Sequence, residues 1–416
     1  MAVVDNLVDR ARRSKALKYI YLKLFSPYVD LHIKEISFTI KPRPQDHAER
    51  RLNLLVPSIS AAHVFGGIST ALNFFEQIAL AGGFKGRIIV INAEPQAGEI
   101  EKSFPGYRLG DGGAGGDIDR QIWPCRHKEI AVPVGPQDYF MATAWWTAYC
   151  AQNLVNWQAE HYRCSRKPLL YLIQDFEPGF YPWSGEYLLC ESTYRYDGPQ
   201  VALFNTRLLK DFFTQNGFHF TQEFYFEPPL NEQIRRLKKE LAGVKRKKQI
   251  LVYGRPSTPR NAFPLILEGL KVWAAGQPGA RQWKIISVGE KHRQIDLGHG
   301  VIVHSLGKVS LEEYGRLLAE SSVGVSLMVS PHPSYPPLEM AEYGLQVITN
   351  SFQAKDLSQL YPNIVSLQRC LPADIAAAID AATQKEPLPL AEAGTALREQ
   401  SDYEQLSASV ARALLS

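Results

Sequence analysis

The segment GRPSTPRNAF, Gly254 to Phe263, follows a strand-like run, QILVYG, and places two guanidinium groups, Arg255 and Arg260, around a turn stiffened by Pro256 and Pro259. A planar guanidinium donates two hydrogen bonds at once, which suits phosphate; ordinary surface arginines carry the same groups, so the pair reads either way. A second segment, YLIQDFEPGFYPWSGEY, Tyr171 to Tyr187, ends an apolar run at Asp175 and continues into a loop dense in Glu177, Glu186 and aromatic rings. Carboxylates accept hydroxyl hydrogens and aromatic faces cover the apolar faces of a sugar ring, so this is a sugar site or a packed surface loop. Asp175, directly at the strand end, is the favoured candidate.

SPHPSYPPLEMAEYG, Ser330 to Gly344, joins the apolar run VGVSLMV, read as a strand over 323–329, to a helix in LEMAEYG. Proline tolerates the first helical turn but offers no amide donor at 336 and 337. A ligand at this helix start must use the amides of Ser334, Tyr335 and Leu338 or the side chains of His332 and Tyr335, with Glu339 as the one carboxylate of the first turn. HVFGGIST, His63 to Thr70, is a strand-to-helix turn whose Gly66 and Gly67 permit close backbone approach; it is neither GxGxxG nor a P-loop and fits a tight turn or a phosphate site. HSLGKVS reads as a loop after the strand VIV, where His304, Leu306, Gly307 and Lys308 could meet a flat base or simply form a connection. The triplet Asp117-Ile118-Asp119 could hold a metal carrying a nucleotide diphosphate, but its Gly-rich setting without an apolar strand before it reads as a flexible loop, and no metal is expected.

These residues need elements to hold them. RLNLLVPSIS, RIIVIN, EIAVPV, PLLYLIQD and VALFNT read as strands alternating with helical stretches, among them TALNFFEQIALAGG and YFMATAWWTAYCAQNLVNW. After a basic run, RRLKKELAGVKRKK, the pattern restarts with QILVYG, WKIISVG, GVIVHSLG, VGVSLMV and LQVITN. Strands alternating with helices imply parallel sheets with crossover helices. The chain of 416 residues is also too long for one ordinary core. The organisation is a basic leader over 1–50, α/β domains over 51–235 and 249–393, and a C-terminal helix over 394–416 that crosses back to the first domain. Ligands in such folds sit beyond the carboxyl ends of the strands, where the segments above fall.

Five widely spaced cysteines without a CxxC pair argue against a disulfide framework or zinc and for a reducing, cytoplasmic setting. No secretory signal pattern and no apolar run of membrane-spanning length is present. Net charge is only +4, and no helix-turn-helix or basic stripe suggests nucleic acid. Residues 1–51 hold eleven Lys and Arg against six Asp and Glu, with Tyr19, Tyr21, Leu22, Leu24 and Phe25 interleaved among the lysines. That composition fits a solvated helix face or peripheral attachment to an anionic membrane surface.

The combination FGGISTALNF, YLIQDFEPGFYPW, ALFNTRLLKDFF, YGRPSTPRNAF and SPHPSYPPLEMAEYGLQVIT resembles the glycosyltransferase family 4 class, and within it the bacterial WsaF-type rhamnosyltransferases of surface polysaccharide synthesis, from about residue 50 onward. The resemblance implies an α/β GT-B fold, two Rossmann-like domains facing each other across a cleft, and retaining transfer of L-rhamnose from dTDP-L-rhamnose to a lipid-linked oligo- or polysaccharide, without a metal. It places the family's basic pair on Arg255 and Arg260, its ribose carboxylate on Glu339, its base-contacting loop on His304 to Gly307, and its diphosphate-facing glycine turn on Gly66 and Gly67. The family's E-x7-E pattern is broken, since the position eight before Glu339 is Pro331. Other readings are a GT-B enzyme using another nucleotide sugar, a UDP-sugar 2-epimerase, or a noncatalytic glycan-binding subunit. If the leader is the membrane contact, deleting residues 1–25 releases the protein from anionic vesicles in a flotation assay, and unchanged binding refutes it.

Overall fold

The computed structural model describes residues 33–36, 40–59, 67–92, 98, 100, 104–110, 118–125, 131–229, 231–390 and 401–416. Met1–Thr39 is a unit of its own, described only by a 3-10 turn at Lys34–Ile36 and its neighbour Ile33. The aromatic part of the leader, Gly66 and Asp117 lie outside the described residues.

Ile40–Ser416 is the second unit and holds two parallel sheets. Strands β1 (Lys41–Pro44) and β6 (Ala131–Val134) pair with each other in a small separate ladder. The first large sheet takes β2 (Arg51–Val56), β3 (Lys85–Val90), β4 (Arg108–Leu109), β5 (Gln121–Pro124), β7 (Asp138–Ala142), β8 (Leu169–Ile173), β9 (Gln200–Asn205) and β10 (Gln222–Phe226), in the order β10-β9-β8-β7-β2-β3-β5-β4. Helices α1 (Gly67–Gly82), α2 (Trp145–Tyr162), α3 (Gly185–Tyr194) and α4 (Arg207–Gln215) accompany it, and α5 (Glu232–Glu240) leads out. Every residue of β2, β8 and β9 is buried, as expected of parallel strands covered on both faces.

The second sheet is built from β11 (Lys247–Gly254), β12 (Lys284–Gly289), β13 (Ile295–Asp296), β14 (Ile302–Gly307), β15 (Ser321–Val325), β16 (Gln346–Asn350) and β17 (Ile364–Leu367), in the order β13-β14-β12-β11-β15-β16-β17, with only β13 antiparallel. Its helices are α6 (Phe263–Gly276), α7 (Leu311–Glu320), α8 (Tyr335–Glu342) and α9 (Pro372–Thr383). The last helix, α10 (Tyr403–Leu415), sets Val410, Ala411 and Leu414 into the core of the first sheet, with Tyr403 stacked 5.1 Å from Phe74.

Two expectations fail locally. The run from Tyr139 to Trp157 is not one helix: Asp138–Ala142 pair between β2 and β8, and α2 starts only at Trp145. Thr147 Oγ1 accepts from the amides of Thr143 and Ala144 at 2.8 and 2.9 Å, which caps the helix there and frees the preceding residues for the sheet. VGVSLMV is a strand only to Val325; beyond it the chain turns into the site described below.

Charge is also buried beneath the first sheet. Arg51 forks onto Asp138 through Nε and Nη2 at 2.7 and 2.8 Å, and Arg87 donates to Asn53 Oδ1 and to the Pro133 carbonyl, each at 2.6 Å. Burial, then the neighbouring Arg51, pushes the Arg87 guanidinium down to about 9. Burial opposes charge on Asp138 as well, but Arg51 and its other partners hold the carboxyl well below the usual range.

Helices α6 and α9 cross closely because Gly269 lacks a side chain: a Cβ there would lie 2.4 Å from Ile375 Cγ2. Gly269→Leu should therefore cost about 1–3 kcal/mol by overpacking. Urea denaturation measures this, and an unchanged midpoint would show that the crossing is not tight.

Candidate functional site

The site grows from the turn after β15. Three donors converge on the Met328 carbonyl: Lys355 Nζ at 2.6 Å, Asn350 Nδ2 at 3.0 Å and the Ser330 amide at 3.0 Å. The Met328 amide in turn donates to Asn350 Oδ1 at 2.7 Å. Asn350 ends β16, so its side chain replaces the ladder bonds that the chain loses on leaving the sheet.

The same turn is tied to the arginine loop. The Val329 amide donates to the Arg260 carbonyl at 2.7 Å. Buried Asn261 accepts from the Arg255 amide at 2.7 Å and donates to the carbonyls of Tyr253 and Leu327 at 3.2 and 3.3 Å. Glu290 accepts from the amide and hydroxyl of Ser257 at 3.0 and 2.7 Å, fixing the outer part of the loop. Both arginines thus stand on a fastened backbone. Among the described residues Arg260 Nε is buried with no acceptor, while its Cζ lies 4.0 Å from the centre of the Phe180 ring of the other sheet's loop.

Asp175 follows β8 and meets the turn from the opposite side: its Oδ1 accepts from Ser330 Oγ at 2.5 Å and from the Phe176 amide at 2.8 Å. Glu177, two residues on, accepts from the Trp145 amide at 2.5 Å. Burial, and after it the neighbouring Asp175, pushes the Glu177 carboxyl up to about 8 against the Trp145 amide and Arg260, so it is mainly neutral at pH 7. Around it Phe180 and Trp183 are exposed, with Trp183 stacked on Tyr187.

Glu339 lies one turn into α8, not on its first turn as expected, because the helix already starts at Tyr335. Burial lifts its carboxyl to about 6 and the Tyr314 hydroxyl works against that rise. Tyr253 connects it to the arginine loop: burial raises the Tyr253 phenol, Arg255 lowers it and Glu339 raises it. Arg255, Tyr253, Glu339 and Tyr314 therefore form one electrostatically connected group. Pro336, Pro337 and Leu338 are buried in this helix start.

The helix start differs from expectation in one respect. The Ser334 amide is already used, donating to His332 Nδ1 at 3.0 Å, and the His332 amide donates to Ser330 Oγ at 3.0 Å. Ser334 sits at φ +66, a left-handed backbone that costs a non-glycine residue about 1–3 kcal/mol. The His332 and Tyr335 rings are 5.7 Å apart. His304 to Gly307 are not a loop but the end of β14, because their backbone pairs with β12 up to Gly307. Leu306 and Lys308 are exposed there, Gly307 turns at φ +77, and β12 separates them from β11.

Gly67 opens α1, but the space of its missing Cβ is filled by protein: a Cβ would lie 2.3 Å from Gln174 Oε1, beside Asp175. Asp119 accepts from the Gly86 amide at 2.7 Å. No group of three or more His, Cys, Asp or Glu is placed to hold a metal among the described residues. An 840 Å³ cavity between α4, β10 and α10, lined by Arg207, Asp211, Glu227 and Asp402 among others, shares none of these residues.

Ser330, Asn261, Asn350, Lys355 and Tyr314 are the organising residues that sequence reading does not find. Asn261 and Ser330 stand inside quoted segments, so a hydrogen-bonding residue beside each candidate was the available signal. Lys355 has none, because nothing local marks a loop lysine as buried.

The Glu177 shift has a stability consequence. Between its ordinary value of 4.5 and about 8 the folded state binds one more proton than the unfolded state, so stability falls as pH rises through that window. Glu177→Gln removes this dependence: the variant should unfold at a higher temperature than the parent at pH 8, with the gap closing towards pH 4.5. A gap independent of pH in calorimetry would show that Glu177 is not held neutral.

The WsaF N-terminal domain family matches residues 51–207 and the WsaF C-terminal domain family residues 248–380, together more than half of the chain. The chain is 29% identical over 294 residues to the O-antigen biosynthesis protein RfbC of Myxococcus xanthus, covering 69% of this chain and 21% of that protein, so it spans about a fifth of that relative's length. Among solved structures it is similar to Anabaena Alr3699/HepE in complex with UDP and glucose, with a TM-score of 0.53 and 14% identity over 88% of this chain and 100% of that one. It is also similar to a UDP-forming α,α-trehalose-phosphate synthase from Burkholderia vietnamiensis, with a TM-score of 0.50 and 12% identity over 88% and 96% of the two chains. The two family matches establish that the chain belongs to the WsaF family, and its two parallel-sheet α/β layers have the GT-B fold.

Proposed function

We propose that the chain moves L-rhamnose from dTDP-L-rhamnose, with retention at the anomeric carbon, onto a hydroxyl of a growing surface polysaccharide. The observation that carries this reading is Arg260: its backbone is clamped to the turn at Val329, its Nε is buried with no acceptor among the described residues, and its face rests on Phe180. A buried guanidinium donor without a partner is costly, and an anionic oxygen satisfies it. The kinship with an O-antigen biosynthesis protein supports the polysaccharide, and the UDP-bound neighbour supports a nucleotide-linked donor.

In this reading Arg255 and Arg260 hold the diphosphate, Glu339 takes the ribose hydroxyls, and the end of β14 from His304 to Lys308 borders the base. The bond from the anomeric carbon to the phosphate oxygen breaks as the acceptor oxygen attacks from the same face. The acceptor proton passes to the departing diphosphate, whose growing charge the two arginines stabilise. Asp175 orients a sugar hydroxyl. Mainly neutral Glu177 can donate as well as accept, and Phe180, Trp183 and Tyr187 offer ring faces to the acceptor. A lipid-linked acceptor at an anionic membrane fits the basic leader; no helix among the described residues is long and apolar enough to cross a membrane.

Thermal-shift measurements with dTDP, UDP and GDP, followed by product detection with the matching nucleotide sugars, test this. The dTDP compound should give the largest stabilisation by mass action. Arg260→Ala should lower kcat by about 100- to 1000-fold in a protein that still unfolds cooperatively. Nucleotide binding without turnover on any acceptor, or an unimpaired Arg260→Ala rate, would overturn the assignment.

A further inference from the structure

Lys355 belongs to the loop between β16 and β17, yet its side chain is wholly enclosed. A buried ammonium is costly unless it finds both hydrogen bonds and an opposite charge. The hydrogen bond is to the Met328 carbonyl, at 2.6 Å. The charge that most favours the ammonium is that of Asp175, on the loop after β8 of the other sheet. Asp175 is joined to Lys355 through the turn, since the Ser330 amide and Lys355 Nζ share the Met328 carbonyl while Ser330 Oγ reaches the carboxylate, and both described hydrogen bonds of Asp175 fall on Oδ1.

The loop carrying Lys355 also reaches the first domain beside this pair. Phe352 stacks 6.5 Å from Phe212, and Asn216 Nδ2 donates to Gln353 Oε1 at 3.1 Å. Lysine, turn and carboxylate thus lie together at the junction of the two domains.

We propose that Lys355 is the positioning residue of the cleft carboxylate: its ammonium, anchored on the Met328 carbonyl, fixes the turn from which Ser330 holds Asp175 by Oδ1, and leaves Oδ2 for a hydroxyl of the transferred sugar. This rests on the sugar-transfer reading for the identity of the hydroxyl but not for the pairing itself. Burial lowers the ammonium to about 7, so the lysine loses its proton within the working pH range. The sign follows: below that pH the lysine is a charged donor to Met328, and above it a neutral amine that anchors the turn more weakly. The titratable and charged groups facing the pair are Cys370 at the lysine and Glu177, itself facing Arg260, at the aspartate.

The pairing is tested without substrate by following the lysine ε-carbon resonances of the full chain against pH, with Lys355→Arg for assignment. A Lys355 midpoint near neutrality that falls further in Asp175→Asn is expected; an ordinary lysine midpoint, or one indifferent to Asp175→Asn, overturns the proposal. The role is tested with whichever nucleotide sugar the enzyme turns over. Lys355→Met should lower kcat about 10- to 100-fold with the nucleotide KM unchanged, as for a misplaced catalytic geometry. Lys355→Arg should restore kcat and abolish its fall above pH 7, compared in a Glu177→Gln background so that this second carboxyl does not contribute. Should Lys355→Met fail to fold, the pH profile of Lys355→Arg decides alone, and a profile identical to the parent's overturns the role. Absence of turnover with every donor would count against the sugar-transfer reading, while the lysine titration still decides the pairing.

Discussion

The cleft depends on one backbone carbonyl. Met328 O receives an ammonium, a side-chain amide and a main-chain amide at once, where a carbonyl has two lone pairs to share. Such crowding fixes the turn between β15 and α8 in three directions. From that turn Val329 fastens the arginine loop, Ser330 reaches Asp175 in the other domain, and His332 takes the amide of Ser334 at the start of α8. Arg260 and Asp175 are bonded directly to this turn and Arg255 is tied to it through Asn261, which is how rigid elements hold reactive side chains to a defined geometry.

Charge is distributed with equal consistency. At the amino ends of the first sheet's strands Arg51, Arg87 and Asp138 are buried against one another and against carbonyls, and their bonds close among residues of that domain. At the carboxyl ends the buried ionisable groups are different in kind. Glu177 and Glu339 are lifted towards neutrality, Lys355 is lowered, and Arg260 keeps an open donor. Both sets keep a buried donor without a partner, at Arg51 Nη1 and Arg87 Nη2 in the first and at Arg260 Nε in the second; the second adds two carboxyls and a lysine shifted towards neutrality, and shifted groups of this kind gather where ligands bind.

The sheets were legible because buried parallel strands are short apolar runs, as in RLNLLV and QILVYG, and their period needs no tertiary information. The misreadings have local causes. YFMA continues without a polar break into WWTAYCAQ, and only the Thr147 hydroxyl marks the start of the helix. In VGVSLMV the apolar run outlasts the strand because Leu327, though unpaired, still packs into the core of the second sheet. The arginines, Asp175 and Glu339 were legible from residue type at a strand or helix end. The clamps at Asn261, Asn350 and Lys355 were not, because they act across 20 to 70 residues of sequence, as in the 66-residue span from Asn261 to Leu327 and the 22-residue span from Asn350 to Met328.

The break in the family's paired-glutamate pattern at Pro331 has a structural counterpart. A proline there stiffens the turn and gives no side-chain acceptor, yet the residue before it, Ser330, is bound to the Asp175 carboxylate. An acidic group therefore stands at this point of the cleft although the segment itself lacks one, and it is carried by the opposite domain. A glutamate within the segment would be present whatever the two domains did. A carboxylate from the first domain, held by a serine of the second, stands at this point only while the two are together. The sequence departure thus leaves the acidic group at this point to the contact between the two domains, made through Ser330, and not to one domain alone.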